Sequence, residues 1–177
     1  QICVLILSSM SEKRRFIDRL TMSIDSSHLN RVYKYNKLFR QRNKILMQPN
    51  SDKTWLDTIE TQISELSISI IARRLDLLEE LENLYNIELK NNNLTEHFPS
   101  VGIIINGKIE KLLQEKPAIE VEDYIKSELK KSRSDYELSV SGPNNSIIEI
   151  FNRINNKQIT NYNSCLLYTS PSPRDSI

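Results

Sequence analysis

The 177-residue chain carries 24 Lys and Arg against 23 Asp and Glu, so bulk charge gives no argument for a nucleic-acid partner and only local clusters can. Its length suffices for one domain with a real core, or for two pieces of a larger one. Its three glycines, Gly102, Gly107 and Gly142, are isolated, which excludes a Gly-rich phosphate loop, and no apolar run approaches the eighteen or so residues of a membrane span.

Residues 1–7 are apolar and bounded by Ser8 and Ser9, which suits a buried strand, although so short a run also fits a helix. No basic leader and no initiator Met precede them, so a signal peptide is not expected and the chain reads as starting mid-gene. Ser11 is positioned to cap a short helix to about Ile24, with Glu12 in its first turn and Phe16, Ile17, Leu20 and Ile24 on its apolar face. Asp25, Ser26 and Ser27 break it and can cap the next helix. From Leu29 to Met47, Leu29, Val32, Tyr35, Phe39 and Leu46 recur at helical spacing, and Pro49 to Asp52 form a turn.

Residues 53–90 contain neither Gly nor Pro. Leu56, Ile63, Ile70, Leu77 and Leu84 recur every seven residues, while Arg73 and Glu80 interrupt a second stripe at Ile59, Leu66 and Ile87. After Ile70 the pattern drifts toward Ile71, Leu75, Leu78, Leu81 and Tyr85, as a 3.6-residue helix in a bundle does and a long coiled coil does not. Such a helix reaches roughly 57 Å, so the expectation is an arm in which it lies antiparallel to the 29–47 helix. Its stripe of Leu56, Ile59, Ile63, Leu66 and Ile70 would face Val32, Tyr35, Phe39 and Leu46.

Asn91 to Asn93 are expected to end the arm. Residues 101–105 read as a strand and Asn106-Gly107 as a hairpin turn. Residues 108–113 fit a strand or a helix, Pro117 interrupts, and Glu120 to Arg133 read as a helix with Val121, Ile125 and Leu129 on one face. Gly142 to Asn145 form a turn, residues 147–151 a strand, and Asn155-Asn156 a second hairpin turn.

His28 and His97 stand alone and read as surface or cap residues. Cys3 and Cys165 have no metal or redox spacing, which fits a reducing cytoplasm. Asp76, Glu79, Glu80 and Glu82 point different ways on a helix and read as solvated rather than catalytic. The tail from Cys165 to Asp175 matches, in all eleven residues, the in-frame translation of a transposase-type sequencing adapter; residues 165–177 are therefore expected to be non-native and to pack against nothing.

Two segments are specific. Glu12-Lys13-Arg14-Arg15-Phe16-Ile17-Asp18-Arg19 is followed by Tyr35, then Arg42-Asn43-Lys44-Ile45-Leu46. In this order and this close they resemble the middle of the RecF family, bacterial recombination and gap-repair ATPases of the SMC-related ABC type, whose pattern there is E-R-R-x-F-L-D-R and then Y-x-x-x-x-x-x-R-N-x-x-L. A weaker likeness continues to about Ser164.

The resemblance implies an α+β fold: a mainly helical arm, an antiparallel hairpin, attached to an incomplete piece of an ABC-type ATPase head with a few strands. Residues 1–10 would end one head lobe, 11–98 form the arm, and 99–164 return to the head. The family binds ATP and Mg, acts on DNA at gaps or single/double-strand junctions, dimerises with ATP and works with RecO- and RecR-type partners. No membrane is implied. Ser164 would be the first residue of a signature motif of type S-T-G-E-Q-K, with the ATP-binding loop and the acidic metal-binding motif outside this stretch. The family's G-P-H-R-x-D appears here as Gly142-Pro143-Asn144-Asn145, without its His and Arg. With the rest of the head missing, Ile148, Ile150 and Phe151 are expected to be more exposed than a native core allows.

The basic residues Lys13, Arg14, Arg15, Arg19, Lys34, Lys37, Arg40, Arg42 and Lys44 have two readings. They are DNA-contact candidates, or they form a solvated face paired with Glu12 or Asp18. Arg14 or Arg15 held against the head by a carboxylate is a further alternative. A rival class for the whole chain is a helical-hairpin adaptor with no nucleotide activity.

Overall fold

A computed structural model describes residues 8–48, 52–90, 101–133, 140–153 and 157–159. The expected first strand, the Asn91 to Asn93 break, His97, the Asn155-Asn156 turn, Ser164 and the 165–177 tail lie outside these residues.

Helix α1 spans Met10–Ile24. Its cap is Ser9 rather than Ser11. The Ser9 Oγ accepts from the Glu12 backbone N–H at 3.3 Å, and the Glu12 carboxylate accepts from the Ser9 N–H at 2.8 Å. This reciprocal pair satisfies two otherwise orphaned donors, and Glu12 at the third helical position sets the register. Helix α2 spans His28–Leu46, entered through Asp25, whose Oδ1 accepts from the Ser27 backbone and hydroxyl. Helix α3 spans Lys53–Lys90, and the Asp52 carboxylate caps it by accepting from Thr54 and Trp55 N–H groups.

Contacts between α2 and α3 run in opposite order along the two chains. Arg42 meets Glu60, Tyr35 lies beside Ser67, and the Ile24 carbonyl just before α2 meets Arg73. The hairpin is therefore antiparallel, as the periodicity predicts. Leu56, Ile59, Ile63 and Ile70 are buried with Tyr35 and Leu46, and Val32, Phe39 and Leu66 pack against them. The heptad stops at Leu77, however: Leu84 is 58% exposed and Leu81 and Ile87 are exposed too. α3 outruns its partner, since the start of α2 is already level with Arg73 and Arg74.

Strand β1 spans Val101–Asn106, and helix α4 spans Lys108–Glu115. The expected Asn106-Gly107 hairpin turn is thus a strand-to-helix step, with Gly107 as the α4 N-cap. Helix α5 spans Ala118–Lys131 and begins at Pro117, which suits a helix start because it has no N–H to leave unpaired. Ile109 of α4 and Val121, Ile125 and Leu129 of α5 share one core with Leu56 and Ile63 of α3. The segment expected to return to the head thus packs on the arm helix itself.

Strand β2 spans Ile147–Asn152 and β3 spans Lys157–Gln158, giving an antiparallel sheet in the order β1-β2-β3. The register pairs Ile103 with Ile150 and Ile105 with Ile148. Period-two alternation sends these to the inner face, where Ile105 and Ile148 meet Ile17 and Leu77, and Ile150 meets Phe16. The expected exposure of this strand is therefore overturned at Ile148 and Ile150, which are 1% and 2% exposed, while Phe151 is half-buried. Helix α1 supplies the cover. On the outer face Ile104 and Ile147 remain exposed.

Candidate functional site

The basic candidates separate by helix phase. At 100° per residue, Tyr35, Arg42 and Leu46 of α2 fall on one side, and Tyr33, Lys37, Arg40 and Lys44 fall within about 60° of each other on the opposite side. The first set is buried and the second exposed. Arg15 and Arg19 of α1 are also exposed, while Lys13 and Arg14 are half-buried.

Arg42 is corrected as a surface DNA-contact candidate: its side chain is fully buried. Its Nε donates to Glu60 at 2.8 Å, and its Nη2 donates to the Leu129 carbonyl at 2.7 Å and to the Ser132 hydroxyl at 2.8 Å. A cation there faces the negative end of α5 and satisfies a carbonyl of its last turn. Glu60 is shared with Arg133, which also reaches Asp57 at 2.6 Å. Hydrogen bonding to Arg133 holds the Asp57 carboxyl below its ordinary range. Phase was the available signal, because position 42 lies on the same stripe as Tyr35 and Leu46.

A second junction joins α1, α2, α3 and the turn before β2. Arg74 donates to both oxygens of Asp18, from Nε at 2.8 Å and Nη2 at 3.0 Å, and its Nη1 donates to the Pro143 carbonyl at 2.8 Å. His28 lies 2.8 Å from Asp18 through Nε2 and is fully buried, so its expected place on the surface or at a cap is corrected. Burial raises the Asp18 carboxyl, but hydrogen bonds from His28 and Arg74 outweigh it and hold the group below its ordinary range. Ser146 donates to Glu110 of α4, and its carbonyl accepts from Arg14 Nη1 at 3.0 Å. Arg14 is thus tied to the fold by a backbone carbonyl. Sequence reasoning missed Arg74. Its signal was a polar stripe, Glu60, Ser67 and Arg74, at seven-residue spacing beside the apolar one; all three are buried.

The glycines do not form a phosphate cradle. The Phe151 ring lies where a Cβ on Gly102 would stand, and the Glu110 carboxylate occupies that place at Gly107. At Gly142 a Cβ would fall 2.8 Å from the Tyr35 hydroxyl. None of the three sites among the described residues fits ATP, and the carboxylate at Gly107 would repel it. Of the group Asp76, Glu79, Glu80 and Glu82 on α3, Asp76 pairs with Arg73 and Glu82 with Arg153 at 2.5 Å, so these two serve ion pairs. Among the described residues no cluster of three or more His, Cys, Asp or Glu could hold a metal, and no helix is long and apolar enough to cross a membrane.

No family model matches the chain. It is similar, however, to curated proteins named DNA replication and repair protein RecF. With that of Agrobacterium fabrum it is 38% identical over 119 residues, 67% of this chain and 30% of the relative. With that of Rickettsia bellii it is 33% identical over 130 residues, 73% of this chain and 34% of the relative. The fold matches a solved structure of the recombination mediator protein RecF-ATPrS in the RecFOR pathway, with a TM-score of 0.64 and 22% identity over 84% of this chain and 40% of that one. A second, of RecF-ATP, gives a TM-score of 0.59 at 19% identity, covering 85% and 40%. The chain spans about a third of the length of the curated relatives it matches. By sequence and by fold, it belongs to the RecF family.

Proposed function

We propose that this chain is the arm and part of the head of a DNA replication and repair ATPase of the RecF type, acting in recombinational gap repair. Residues 11–98 form its arm and 99–164 lead back to the head. In the full-length protein, ATP and Mg bind through motifs outside the described residues, with Ser164 opening the signature motif that meets nucleotide across a homodimer. DNA at gaps is held with RecO- and RecR-type partners. The observation that carries the reading is the 38% identity to a DNA replication and repair protein RecF over two thirds of the chain. A set of outward cations at Arg15, Arg19, Arg40 and Lys44 supports the DNA part.

The test is the longer reading frame and its product. That frame should encode G-x-N-G-x-G-K-[ST] before the chain and S-T-G-E-Q-K after Asn163. Its product should bind gapped DNA in an ATP-dependent manner. A frame that starts just before Gln1, or a product whose DNA binding ignores ATP, favours the adaptor reading instead.

A further inference from the structure

The chain has one Asn-Gly pair, Asn106-Gly107, and it lies at the step from β1 into α4 rather than in a turn between strands. Asparagine before glycine is chemically labile, because no side chain on the next residue keeps its peptide nitrogen away from the amide carbon. Asn106 is half-buried, so it stays partly open to water. The strand register pairs Ile104 with Glu149 and Asn106 with Ile147, which puts Asn106 and Glu149 on one diagonal of the sheet's outer face. There the Asn106 Nδ2 donates to Glu149 Oε2 at 2.6 Å. The buried Glu110 carboxylate lies against Gly107. The pair also joins two cores. Ile105, just before it, is buried with Ile17 and Ile148, and Ile109, just after it, is buried in the helical core.

We propose that Asn106 is a site of spontaneous deamidation and that Glu149 guards it. The Gly107 nitrogen gives its proton to solvent hydroxide and bonds to the Asn106 Cγ. The Cγ–Nδ2 bond breaks, the nitrogen leaves as ammonia, and a five-membered imide remains. Water then opens the imide at either carbonyl, which leaves aspartate or isoaspartate at position 106; nothing is oxidised or reduced. While Glu149 holds the amide across the sheet and β1 keeps its backbone extended, the ring does not close. Conversion therefore waits on release of the strand end. The product sets a carboxylate oxygen where Nδ2 donated, against Glu149 and close to Glu110. Carboxylates this near to each other do not both stay ionised without cost. Isoaspartate also adds a backbone atom between the two cores. Deamidation thus loosens, in one direction only, the joint between sheet and helices. The inference does not rest on nucleotide or DNA binding.

The experiment incubates the 177-residue chain in mildly alkaline buffer, folded or unfolded in urea. Peptide mapping by mass spectrometry follows the exchange of amide for acid at Asn106, and isoaspartate-specific enzymatic methylation identifies the product. Conversion should be fast in urea and slow, but measurable, in the folded chain. Glu149→Ala should speed the folded rate at least about tenfold, the value of one hydrogen bond to a charged acceptor, and leave the rate in urea unchanged. Glu149→Gln keeps an acceptor and should convert more slowly than Glu149→Ala. Asn106→Asp imitates the product and should lower the melting temperature at neutral pH. Its carboxyl and that of Glu149 repel, so their folded values lie above the unfolded ones, and the loss should shrink as pH falls through about 5. Asn106→Asp combined with Glu149→Gln supplies a donor to the new carboxylate and should recover the melting temperature.

The proposal is overturned if folded and unfolded chains convert Asn106 at the same rate, or if the folded chain accumulates no product there. It is also overturned if Glu149→Ala and Glu149→Gln both leave the folded rate unchanged or slow it, or if Asn106→Asp melts with the parent at neutral pH. Any of these results would leave the proposed function standing, since none of them reads ATP or DNA.

Discussion

Arg74 and Asp18 show how two charges are kept inside a small fold. Each is nearly inaccessible, yet every guanidinium nitrogen of Arg74 has an acceptor and the carboxylate has donors from two helices. Desolvating such a pair is costly and the mutual attraction roughly offsets it, so the pair specifies position more than it adds stability. Losing one partner is different. Asp18→Asn should destabilise by about 3–5 kcal/mol at neutral pH, because it leaves Arg74 buried without a counter-charge. Asp18→Leu combined with Arg74→Leu should cost less than the sum of the single changes, measured by urea unfolding. The pH dependence has a definite sign. The folded-state Asp18 carboxyl lies below its unfolded value, so its contribution is complete above about pH 5 and is lost as pH falls through the folded value. The stability gap between parent and Asp18→Asn should therefore close on acidification. Asp57 and Glu82 are also lowered, but both are largely exposed and their ion pairs contribute little. A gap that stays constant from pH 6 to pH 3 would assign the acid sensitivity elsewhere.

At the scale of elements, α3 is one helix with two environments. Its first two thirds bury a stripe against α2, α4 and α5; toward its end, among the described residues, Arg153 pairs with Glu82 and lies 4.2 Å over the Tyr85 ring. The heptad residues Ile63 and Leu84 are chemically similar and sequence-equivalent, yet one is 1% and the other 58% exposed. Ile63→Ala should cost about 2–5 kcal/mol through lost burial and a cavity. Leu84→Ala should stay within about 0.5 kcal/mol. Equal shifts in melting temperature for the two variants would contradict the packing. The same contrast explains α2, where a buried arginine and exposed lysines alternate with helical phase.

For the whole molecule, the two buried arginines tie separate segments into one body. Arg42 joins α2 and α3 to the end of α5, and Arg74 joins α1 and α3 to the turn entering β2. The sheet closes onto α1 through Ile148 and Ile17. None of these surfaces is shaped for a triphosphate, since side chains fill the space at each of Gly102, Gly107 and Gly142. The purified 177-residue chain should therefore show no thermal stabilisation by ATP with Mg and no phosphate release; a concentration-dependent rise in melting temperature would refute this.

The local elements were legible because they depend on short-range chemistry. Helical periodicity marked α1 to α3, Val121, Ile125 and Leu129 marked α5, and β-branched runs marked the two strands that pair most extensively. The family was legible too, from two motifs at the right separation. What the sequence left open was decided by tertiary contacts. Asn106-Gly107 has the composition of a hairpin turn, but β1 finds its partner in β2, more than forty residues on, and the glycine starts a helix. Ser9 rather than Ser11 caps α1 because Glu12 completes the reciprocal bond with it. Arg42, His28 and Arg74 look like surface residues to any rule based on polarity. Their burial depends on acceptors, Glu60, the Leu129 carbonyl, Asp18 and the Pro143 carbonyl, that lie 10 to 87 residues away along the chain and meet them only when the helices have packed.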